Sequence, residues 1–296
     1  MTGNVADQPL VEPKTRLSRR TFLRGSAVAA AGMALYAGEI ARHEISVLTH
    51  TIAIDNLPAA FHNFRIVQIS DIHFDEYTEP SFLRRVLAQV NALAADLVLL
   101  TGDYISHLPL SYNFVLGAMH RCGEVLSDIA CPQRFAVMGN HDTILGVSIV
   151  QPILAAAGIS LLVDEHVPIE RGGHRFWLCG VNDPLTFVPD LGSAIPANPD
   201  GPVLLMSHGP DYADEVLAHP RGRLVDLMLA GHSHGGQVRL PLVGALHTPP
   251  GGKKYVEGLF RIGRMQLYVN RGIGTVGVPF RLNCPPEITL LTLRRS

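Results

Sequence analysis

Five short apolar runs, each followed at once by residues that can bind metal ions, constrain the fold of this chain more than any other feature. The runs span residues 64–69, 96–100, 134–138, 202–206 and 225–229. Continuous apolar runs of this length fit strands that are buried on both faces, as in sheets covered by helices. Ligands in such folds gather at the carboxyl ends of the strands. The pattern therefore predicts an α/β protein with a polar site at one edge of its sheets.

The residues that follow the five runs are mostly Asp, His and Asn. The seven candidate ligands are Asp71, His73, Asp103, Asn140, His208, His232 and His234. A tetrahedral zinc ion needs only four ligands, and imidazole mixed with carboxylate suits Mn, Fe, Zn or Ni. Seven ligands that share one carboxylate fit two divalent metal ions about 3.5–4 Å apart, which is the arrangement that clamps both oxygens in a phosphoryl displacement.

Taken one at a time, these motifs are weak signals. An isolated Asp-x-His is usually a surface or capping pair, and Gly-Asp or Gly-Asn usually marks a turn. A single histidine at the end of a strand has no special meaning. A metal site is indicated because all five motifs occur in one chain, each directly after an apolar run.

The segments between and after these runs predict the remaining elements. Helices are predicted at residues 80–95, 111–129, 147–157 and 211–219. The first of them begins with a proline at a favoured position and places Phe82, Val86 and Val90 on one stripe. Further strands are predicted at residues 159–163, 167–170, 175–180, 266–270 and 288–293. Since no repeat or linker divides residues 45–296, we expect them to form one domain.

Composition excludes several classes of protein. Hydrophobic residues make up 47% of the chain and charged residues 17%, against a usual charged share of about 25%, so the chain is not intrinsically disordered. With 24 basic and 26 acidic residues and no Lys/Arg-dense stretch after the first 25 residues, no nucleic-acid-binding surface is expected. The four cysteines form no C-x-x-C motif and are interpreted as small buried hydrophobes, although a Cys122–Cys131 bridge stays open for an exported protein.

The N-terminal segment resembles an export signal. Ser18-Arg19-Arg20-Thr21-Phe22-Leu23-Arg24 precedes an apolar, small-residue run at 25–38 that is too short for a confident transmembrane span. This order is similar to a twin-arginine (Tat) signal, which the Tat translocase reads on folded proteins. Because no clean A-x-A site follows, both cleavage and an uncleaved membrane anchor stay open. We expect residues 1–38 to be a signal or anchor segment, with the protein in the periplasm, the cell wall or at the outer face of the cytoplasmic membrane.

The ordered motifs D-x-H, G-D, G-N-H-D, a solitary H and G-H-x-H resemble the signature of the calcineurin-like metallophosphoesterases, over residues 45–296. The stretches 235–241, 253–255 and 270–272 are similar to the YkuE-type branch of exported phosphodiesterases. The resemblance implies a four-layer α/β/β/α sandwich, in which helices flank two mixed β-sheets. It also implies hydrolysis of a phosphodiester, lipid- or nucleotide-linked, by attack of a hydroxide that bridges two metal ions.

The resemblance implies a role for each motif residue. The first metal ion would be held by Asp71, His73, Asp103 and His234. The second would be held by Asp103, Asn140, His208 and His232, with Asp103 shared. His141 would act on the substrate as a proton donor, and Asp142 would orient His141. Two further residues are candidates for substrate contact, namely His247 near the fifth motif and Arg271 in a glycine-rich loop.

One departure from the superfamily and several alternatives bear on function. Purple acid phosphatases of this superfamily carry a tyrosine three residues after the second-motif Asp, where this chain has Ser106, so a tyrosinate–iron(III) site is not expected. Tyr104 is interpreted as a packing residue.

A UDP-2,3-diacylglucosamine-type pyrophosphate hydrolase and a phosphomonoesterase are the alternative functions. A non-catalytic scaffold is disfavoured, because all seven ligands and His141 are present.

Overall fold

The computed structural model of this 296-residue chain describes residues 18–74, 77–106 and 111–296. Residues 1–17 of the predicted signal segment lie outside this part. The α-helices of the described residues are α1 (Arg19–Leu35), α2 (Pro80–Ala92), α3 (Tyr112–Leu126), α4 (Val147–Ala156), α5 (Leu191–Ala194) and α6 (Ala213–Ala218). Helix α2 begins with its proline, and Ser111 caps α3 by accepting a hydrogen bond from the amide of Phe114.

The strands fall into two large mixed sheets and one small ribbon. They are β1 (Ser46–Ile54), β2 (Arg65–Ile69), β3 (Leu97–Leu100), β4 (Arg134–Ala136), β5 (Ser160–Leu161), β6 (Glu165–Arg171), β7 (His174–Gly180), β8 (Val203–Met206), β9 (Leu227–Ala230), β10 (Arg239–Leu240), β11 (Gly244–Ala245), β12 (Gly258–Ile262), β13 (Met265–Val269) and β14 (Glu287–Arg295). The first sheet has the order β1-β14-β2-β3-β4-β5, and the second has the order β12-β13-β9-β8-β7-β6.

Parallel pairing brings the ligand-bearing strand ends to one side of each sheet. Strands β2, β3, β4 and β5 are parallel in the first sheet, and β14 runs antiparallel to β2. In the second sheet β7, β8, β9 and β13 are parallel, and antiparallel β6 and β12 form the edges. Parallel strands buried on both faces need helices on the outer sides.

Three apolar layers hold the sheets and helices together. Helices α2, α3 and α4 pack on the outer face of the first sheet through side chains such as Val86, Met119 and Leu154. The two inner faces meet in a second layer, and α5 and α6 cover the outer face of the second sheet. The chain is therefore a four-layer α/β/β/α sandwich, which confirms the fold class predicted from the sequence.

Most of the predicted elements are present, but four strands were missed, namely β1, β12 and the two short strands β10 and β11 of the ribbon. The five runs and the later strands correspond to observed strands, and β6 and β7 form a hairpin. Strands β1 and β12 were not predicted, because their exposed and half-buried residues alternate without a continuous apolar run. All four cysteines lie in the described part of the chain and are unpaired; Cys122, Cys179 and Cys284 are buried.

Helix α1 projects from the domain and is seated on it only at its C-terminal end. None of its residues is buried, whereas Ala37 and Gly38, in the π-helical turn Tyr36–Ile40 that follows, are buried. Among the described residues, no helix combines the length and apolar character needed to cross a membrane. The division into segments 1–38 and 45–296 stays a prediction.

Candidate metal centre

The loops that follow the ligand-bearing strands are tied together by backbone hydrogen bonds. The amide of Asp71 donates to the carbonyl of Gly102 at 2.9 Å, and the amide of His73 donates to the carbonyl of Asp103 at 3.0 Å. Five of the candidate ligands have positive φ angles, a region that residues other than glycine rarely occupy; they are Asp71, His73, Asp103, His232 and His234. Such conformations persist when the surroundings determine them, and they cluster at functional sites.

The first cluster of ligand atoms contains Asp71, His73 and His234, all buried. The Nε2 atoms of the two imidazoles lie 3.0 Å apart. The Oδ1 atom of Asp71 lies 3.4 Å from Nε2 of His234. Two ring nitrogens and a carboxylate oxygen therefore face one point, as they would around one metal ion.

The second cluster contains Asp103, His208 and His232, again all buried. Nε2 of His208 lies 3.1 Å from Oδ2 of Asp103 and 3.2 Å from Nδ1 of His232. The same Oδ2 atom lies 3.6 Å from Nε2 of His73 in the first cluster. The Asp103 carboxylate thus lies between the two clusters, in the place that a bridging ligand requires.

Three of the four imidazoles have a hydrogen-bond partner on the ring nitrogen that faces away from the cluster. Nδ1 of His208 donates to the carbonyl of Thr101 at 2.7 Å, and Nε2 of His232 donates to the carbonyl of Pro250 at 2.8 Å. Nδ1 of His73 lies 3.0 Å from the hydroxyl of Ser106. A carbonyl can only accept, so in the neutral form of His208 and His232 the opposite nitrogen carries a lone pair toward the cluster, as a metal ligand must.

Two further observations fit a metal site. The side-chain oxygen of Asn140 is buried and, among the described residues, has no hydrogen-bond partner. A buried acceptor without a partner is costly, and coordination to a cation would satisfy it. All seven predicted ligands except Asn140 belong to the two clusters, and Asn140 lines the same cleft as Asp103 and His232. The residues present therefore fit metal ions held by mixed imidazole, carboxylate and amide ligands.

Burial and charge act together on the ionisable groups of the site. Burial holds the pKa of His73 and His234 well below the usual range and also lowers the pKa of His232. Burial alone would raise the pKa of Asp103, but the attractions of His208, His141 and His73 together outweigh it and hold that pKa well below normal. Burial alone would lower the pKa of His208, but the attraction of Asp103, together with that of Asp71 and Asp183, raises it well above normal. The neutral forms of His73, His232 and His234 and the ionised form of Asp103 are the forms that bind metal ions, whereas His208 would release its proton when a metal ion binds.

Asp142 acts on the backbone of the site. Its buried carboxylate accepts hydrogen bonds from the amides of Asp103 and Tyr104, each at 2.8 Å, and of Gly139 at 2.9 Å. These bonds join the second motif to the G-N-H-D loop. The sequence predicts that Asp142 orients His141; these bonds hold the backbone of the loop that carries His141.

His141 lies at the border of the site. Its amide donates to Oδ1 of Asp103 at 2.9 Å, and its ring packs edge-on against the ring of His73, with the centroids 4.8 Å apart. It also forms a third group of potential ligands with His73 and Asp103. The half-buried side chain lines the cleft, so it can reach a substrate bound over the two clusters.

Two glycines of the motifs are required by close approach. A Cβ atom on Gly102, whose φ is +94°, would lie 2.6 Å from the amide nitrogen of Gly139 and 2.9 Å from Nδ1 of His208. A Cβ atom on Gly231 would lie 2.3 Å from Oδ2 of Asp71. The glycines in G-D and G-H-x-H therefore let the two sheets bring their ligands together.

The site opens into a cleft of about 850 Å³ that is lined by both polar and apolar residues. The polar lining includes Asp103, Asn140, His141 and the histidines of the fifth motif. The apolar lining includes Leu185, Val238, Leu246, Val276 and Val278. A ligand with a polar head and an apolar portion matches this lining.

Comparison with known proteins identifies the family. The family model for calcineurin-like phosphoesterase matches residues 64–236, which contain all seven candidate ligands. The chain belongs to the calcineurin-like phosphoesterase family. It is 32% identical over 292 residues to the uncharacterised metallophosphoesterase YkuE of Bacillus subtilis, covering 95% of this chain and 99% of that protein.

Two other relatives and an export signal extend the comparison. The chain is 34% identical over 286 residues to the phosphodiesterase YaeI of Escherichia coli, covering 94% of this chain and 99% of that protein. It is 26% identical to a transmembrane protein with a metallophosphoesterase domain from Danio rerio, covering 94% of this chain and 63% of that protein. The model for the twin-arginine translocation signal matches residues 16–36, so the chain carries a Tat signal for export.

The two residues predicted to contact substrate have different positions in this phosphoesterase. His247 lines the cleft. Arg271 is not among the residues that line it; Nε of its guanidinium instead donates to Oε2 of buried Glu287 at 2.6 Å and lies 3.8 Å from a Glu257 oxygen. The guanidinium of Arg271 therefore lies close to two carboxylates, and its contact with substrate stays a prediction.

Sequence reasoning missed several residues that support the phosphoesterase site. Ser106 was noted only as a missing tyrosine, but its hydroxyl contacts His73. Arg281 is fully buried and donates hydrogen bonds to the backbone carbonyls of Arg271, Gly272, Gly274 and Cys284. These bonds hold the loop that follows β13 against the first motif. The packing role expected for Tyr104 fits its burial and its hydrogen bond to the carbonyl of Val137 at 2.8 Å.

Proposed function

We propose that the chain hydrolyses phosphodiesters at a centre of two divalent metal ions held by the seven candidate ligands. The observation that carries the proposal is the position of Asp103, whose Oδ2 lies 3.1 Å from His208 in one cluster and 3.6 Å from His73 in the other. A carboxylate in this position can serve two ions at once. The name of the relative YaeI, a phosphodiesterase, supports a diester as the substrate.

Divalent cations bound at this centre supply the Lewis acidity and the activated water that phosphoester hydrolysis requires. Asp71, His73, Asp103 and His234 would hold one ion, and Asp103, Asn140, His208 and His232 would hold the other. His141, half-buried at the edge of the cleft, would donate a proton to the leaving oxygen. Asp142 would keep this loop in place through its bonds to the backbone.

The apolar lining of the cleft favours an ester with an apolar substituent. Val238, Leu246, Val276 and Val278 line the same cleft as Asn140 and His141. A lipid-linked diester would contact both kinds of residue, whereas a free nucleotide would leave the apolar residues unused. A UDP-2,3-diacylglucosamine-type pyrophosphate is the second candidate substrate, because its acyl chains would contact the same apolar residues.

Hydrolysis of paired chromogenic esters tests the proposed activity. We expect the Mn²⁺-loaded protein to hydrolyse bis-p-nitrophenyl phosphate faster than p-nitrophenyl phosphate, to stop with EDTA, and to recover when Mn²⁺ is restored. His208→Ala should abolish the activity, whereas His120→Ala on the exposed face of α3 should retain it.

Two outcomes would contradict the proposal in different ways. Faster hydrolysis of the monoester would point to a phosphomonoesterase. Binding of two metal ions without hydrolysis of either ester would point to a non-catalytic scaffold.

We propose further that the N-terminal segment keeps the exported protein associated with the membrane. The amide of Arg281 donates to the carbonyl of Ala37 at 3.0 Å, and the ring of Phe280 packs against Gly38, so the end of the signal helix is seated on the folded domain. Cell fractionation followed by an alkaline wash tests this association.

Replacement of both Arg19 and Arg20 by lysine should retain folded protein in the cytoplasm, and normal export of that variant would contradict Tat dependence.

A further inference from the structure

Strand β7 also ends beside the metal centre, like the five strands that carry candidate ligands, but the residues that follow it have no role in the proposed function. Strand β7 is followed by Val181, Asn182 and Asp183. The amide of Val181 donates to the carbonyl of Met206 at 3.1 Å, next to the start of the loop that carries His208. Asp183 therefore leaves β7 at the same sheet edge at which His208 leaves β8.

The turn that contains Asp183 lies against the second cluster. A Cβ atom on Gly209 would lie 3.2 Å from the ring of Pro184, so this turn packs on the residue after His208. Leu185 lies against Gly251, whose Cβ position is 3.8 Å from Nε2 of His232. The turn is thus placed beside the residue that follows His208 and beside the loop that contacts the ring of His232.

The carboxylate of Asp183 is buried without a partner. Its exposed fraction is 0%, and neither oxygen has a hydrogen-bond partner among the described residues. The backbone of the turn, by contrast, is well bonded, since the amide of Phe187 donates to the Asp183 carbonyl at 3.0 Å. An unpaired buried carboxylate costs several kcal/mol, so the folded chain gains nothing from it by itself.

Asp183 lies in a turn beside the metal centre but is not one of its candidate ligands. It does not belong to any of the three groups of ligand atoms. Its influence on a cation would therefore be exerted from outside the set of residues that bind the ion.

We propose that Asp183 is a positioning residue for the metal ion of the second cluster, whose positive charge its buried carboxylate balances from the neighbouring turn. This inference rests on the two-metal centre of the proposed function. Partners outside the ligand shell commonly change metal affinity by about 10- to 100-fold. In the protein without metal, the same unpaired carboxylate would lower the stability of the fold. Residues that serve function and lower stability are common at functional sites.

The isosteric variant Asp183→Asn tests the proposal through two readouts that do not depend on activity. Calorimetric titration with Mn²⁺ should show that the ion in the second cluster binds about 10- to 100-fold more weakly, while binding of the ion in the first cluster is unaffected. After treatment with EDTA, the variant should melt a few degrees above the parent chain, because an unpaired buried charge is gone. Asp183→Ser serves as a second variant and should weaken the second ion in the same way.

Asp164→Asn is the matched control. The Asp164 carboxylate accepts a hydrogen bond from the amide of Asn182 at 3.0 Å, in the same region of the fold, and asparagine can still accept it. This control should bind both ions like the parent chain.

Each contrary result identifies what has failed. Unchanged affinity for the second ion in both Asp183 variants would overturn the proposal. A lower melting temperature of EDTA-treated Asp183→Asn would also overturn it, because the carboxylate would then stabilise the fold itself. If the parent chain binds fewer than two Mn²⁺ ions, the proposed two-metal function fails and the inference falls with it.

Discussion

The two halves of the metal centre use the same kinds of side chain but are held in different ways. In the second cluster, His208 and His232 each donate to a backbone carbonyl. In the first cluster, His73 contacts the hydroxyl of Ser106, and the second ring nitrogen of His234 has no hydrogen-bond partner among the described residues. Both imidazoles of the second cluster are therefore fixed by the backbone, whereas only one imidazole of the first cluster has a partner in the described part of the chain. The second half is the more firmly held.

This difference has a consequence for metal binding. Partners on the far ring nitrogen fix the orientation and raise the basicity of a ligating imidazole. Both imidazoles of the second cluster have such partners, but only one of the first cluster does. We therefore expect the second cluster to bind its ion more tightly, and the first to exchange its ion more readily.

The largest effect is expected at Asp103, where the two halves meet. Asp103→Asn keeps the shape of the side chain but removes the charge that both clusters share, so both ions should bind weakly and diester hydrolysis should fall to near background. Metal analysis after gel filtration and the bis-p-nitrophenyl phosphate assay measure the two effects. Asp128→Asn, at an exposed pair with Arg84, should change neither, and two firmly held ions in Asp103→Asn would place the bridge elsewhere.

His141 should show the next largest effect, on the rate alone. His141→Ala should keep both ions and lower the rate by about 10²- to 10⁴-fold, the range for a positioned proton donor. The loss should be smaller for a p-nitrophenyl ester than for an alkyl ester, because p-nitrophenolate leaves readily as an anion. Equal losses for the two esters, or loss of one ion, would contradict the role of general acid.

Ser106 distinguishes the two halves most clearly. Ser106→Ala removes the hydroxyl that lies 3.0 Å from Nδ1 of His73, so the affinity of the first cluster for Mn²⁺ should fall by about 10- to 100-fold while the second is unchanged. Calorimetric titration measures both affinities. Ser127→Ala, at an exposed position after α3, is the control. Equal weakening of both ions would show that the halves are not held independently.

The smallest effect on catalysis is expected at Arg271. Arg271→Gln should leave KM for the diester unchanged, because the guanidinium is paired with Glu287 and does not line the cleft. The variant should instead lose about 1.5–3 kcal/mol of unfolding free energy, the usual contribution of a hydrogen bond to a charged group. Kinetics and thermal unfolding measure the two effects, with exposed Arg261→Gln as the control. A KM that rises several-fold without loss of stability would restore the predicted phosphate contact.

The elements that the sequence could predict are those whose local pattern carries the information. Strands β2, β3, β8 and β9 are continuous apolar runs followed by ligands, and both features are visible without tertiary structure. Strand β1 lies at the edge of its sheet, and only Ile52 and Ile54 of its residues are fully buried. A strand with so few buried residues leaves a weak pattern in the sequence.

The site follows the same division. The seven ligands could be predicted because each follows a strand, and Asp183 could have been found by the same rule, since residues 175–181 are largely apolar and are followed by Asn182. Ser106 and Arg281 could not, because a hydroxyl beside an imidazole and a guanidinium among carbonyls depend on contacts that only the folded chain creates.

The claim that the two clusters form one shared centre is tested most directly by electron paramagnetic resonance of the Mn²⁺-loaded protein. Oδ2 of Asp103 lies 3.1 Å from His208 and 3.6 Å from His73, so two ions bound to these clusters would share one carboxylate. We predict two Mn²⁺ ions per chain with an exchange-coupled spectrum, and loss of that coupling in Asp103→Asn. One ion per chain, or two ions with independent six-line spectra, would contradict a shared centre.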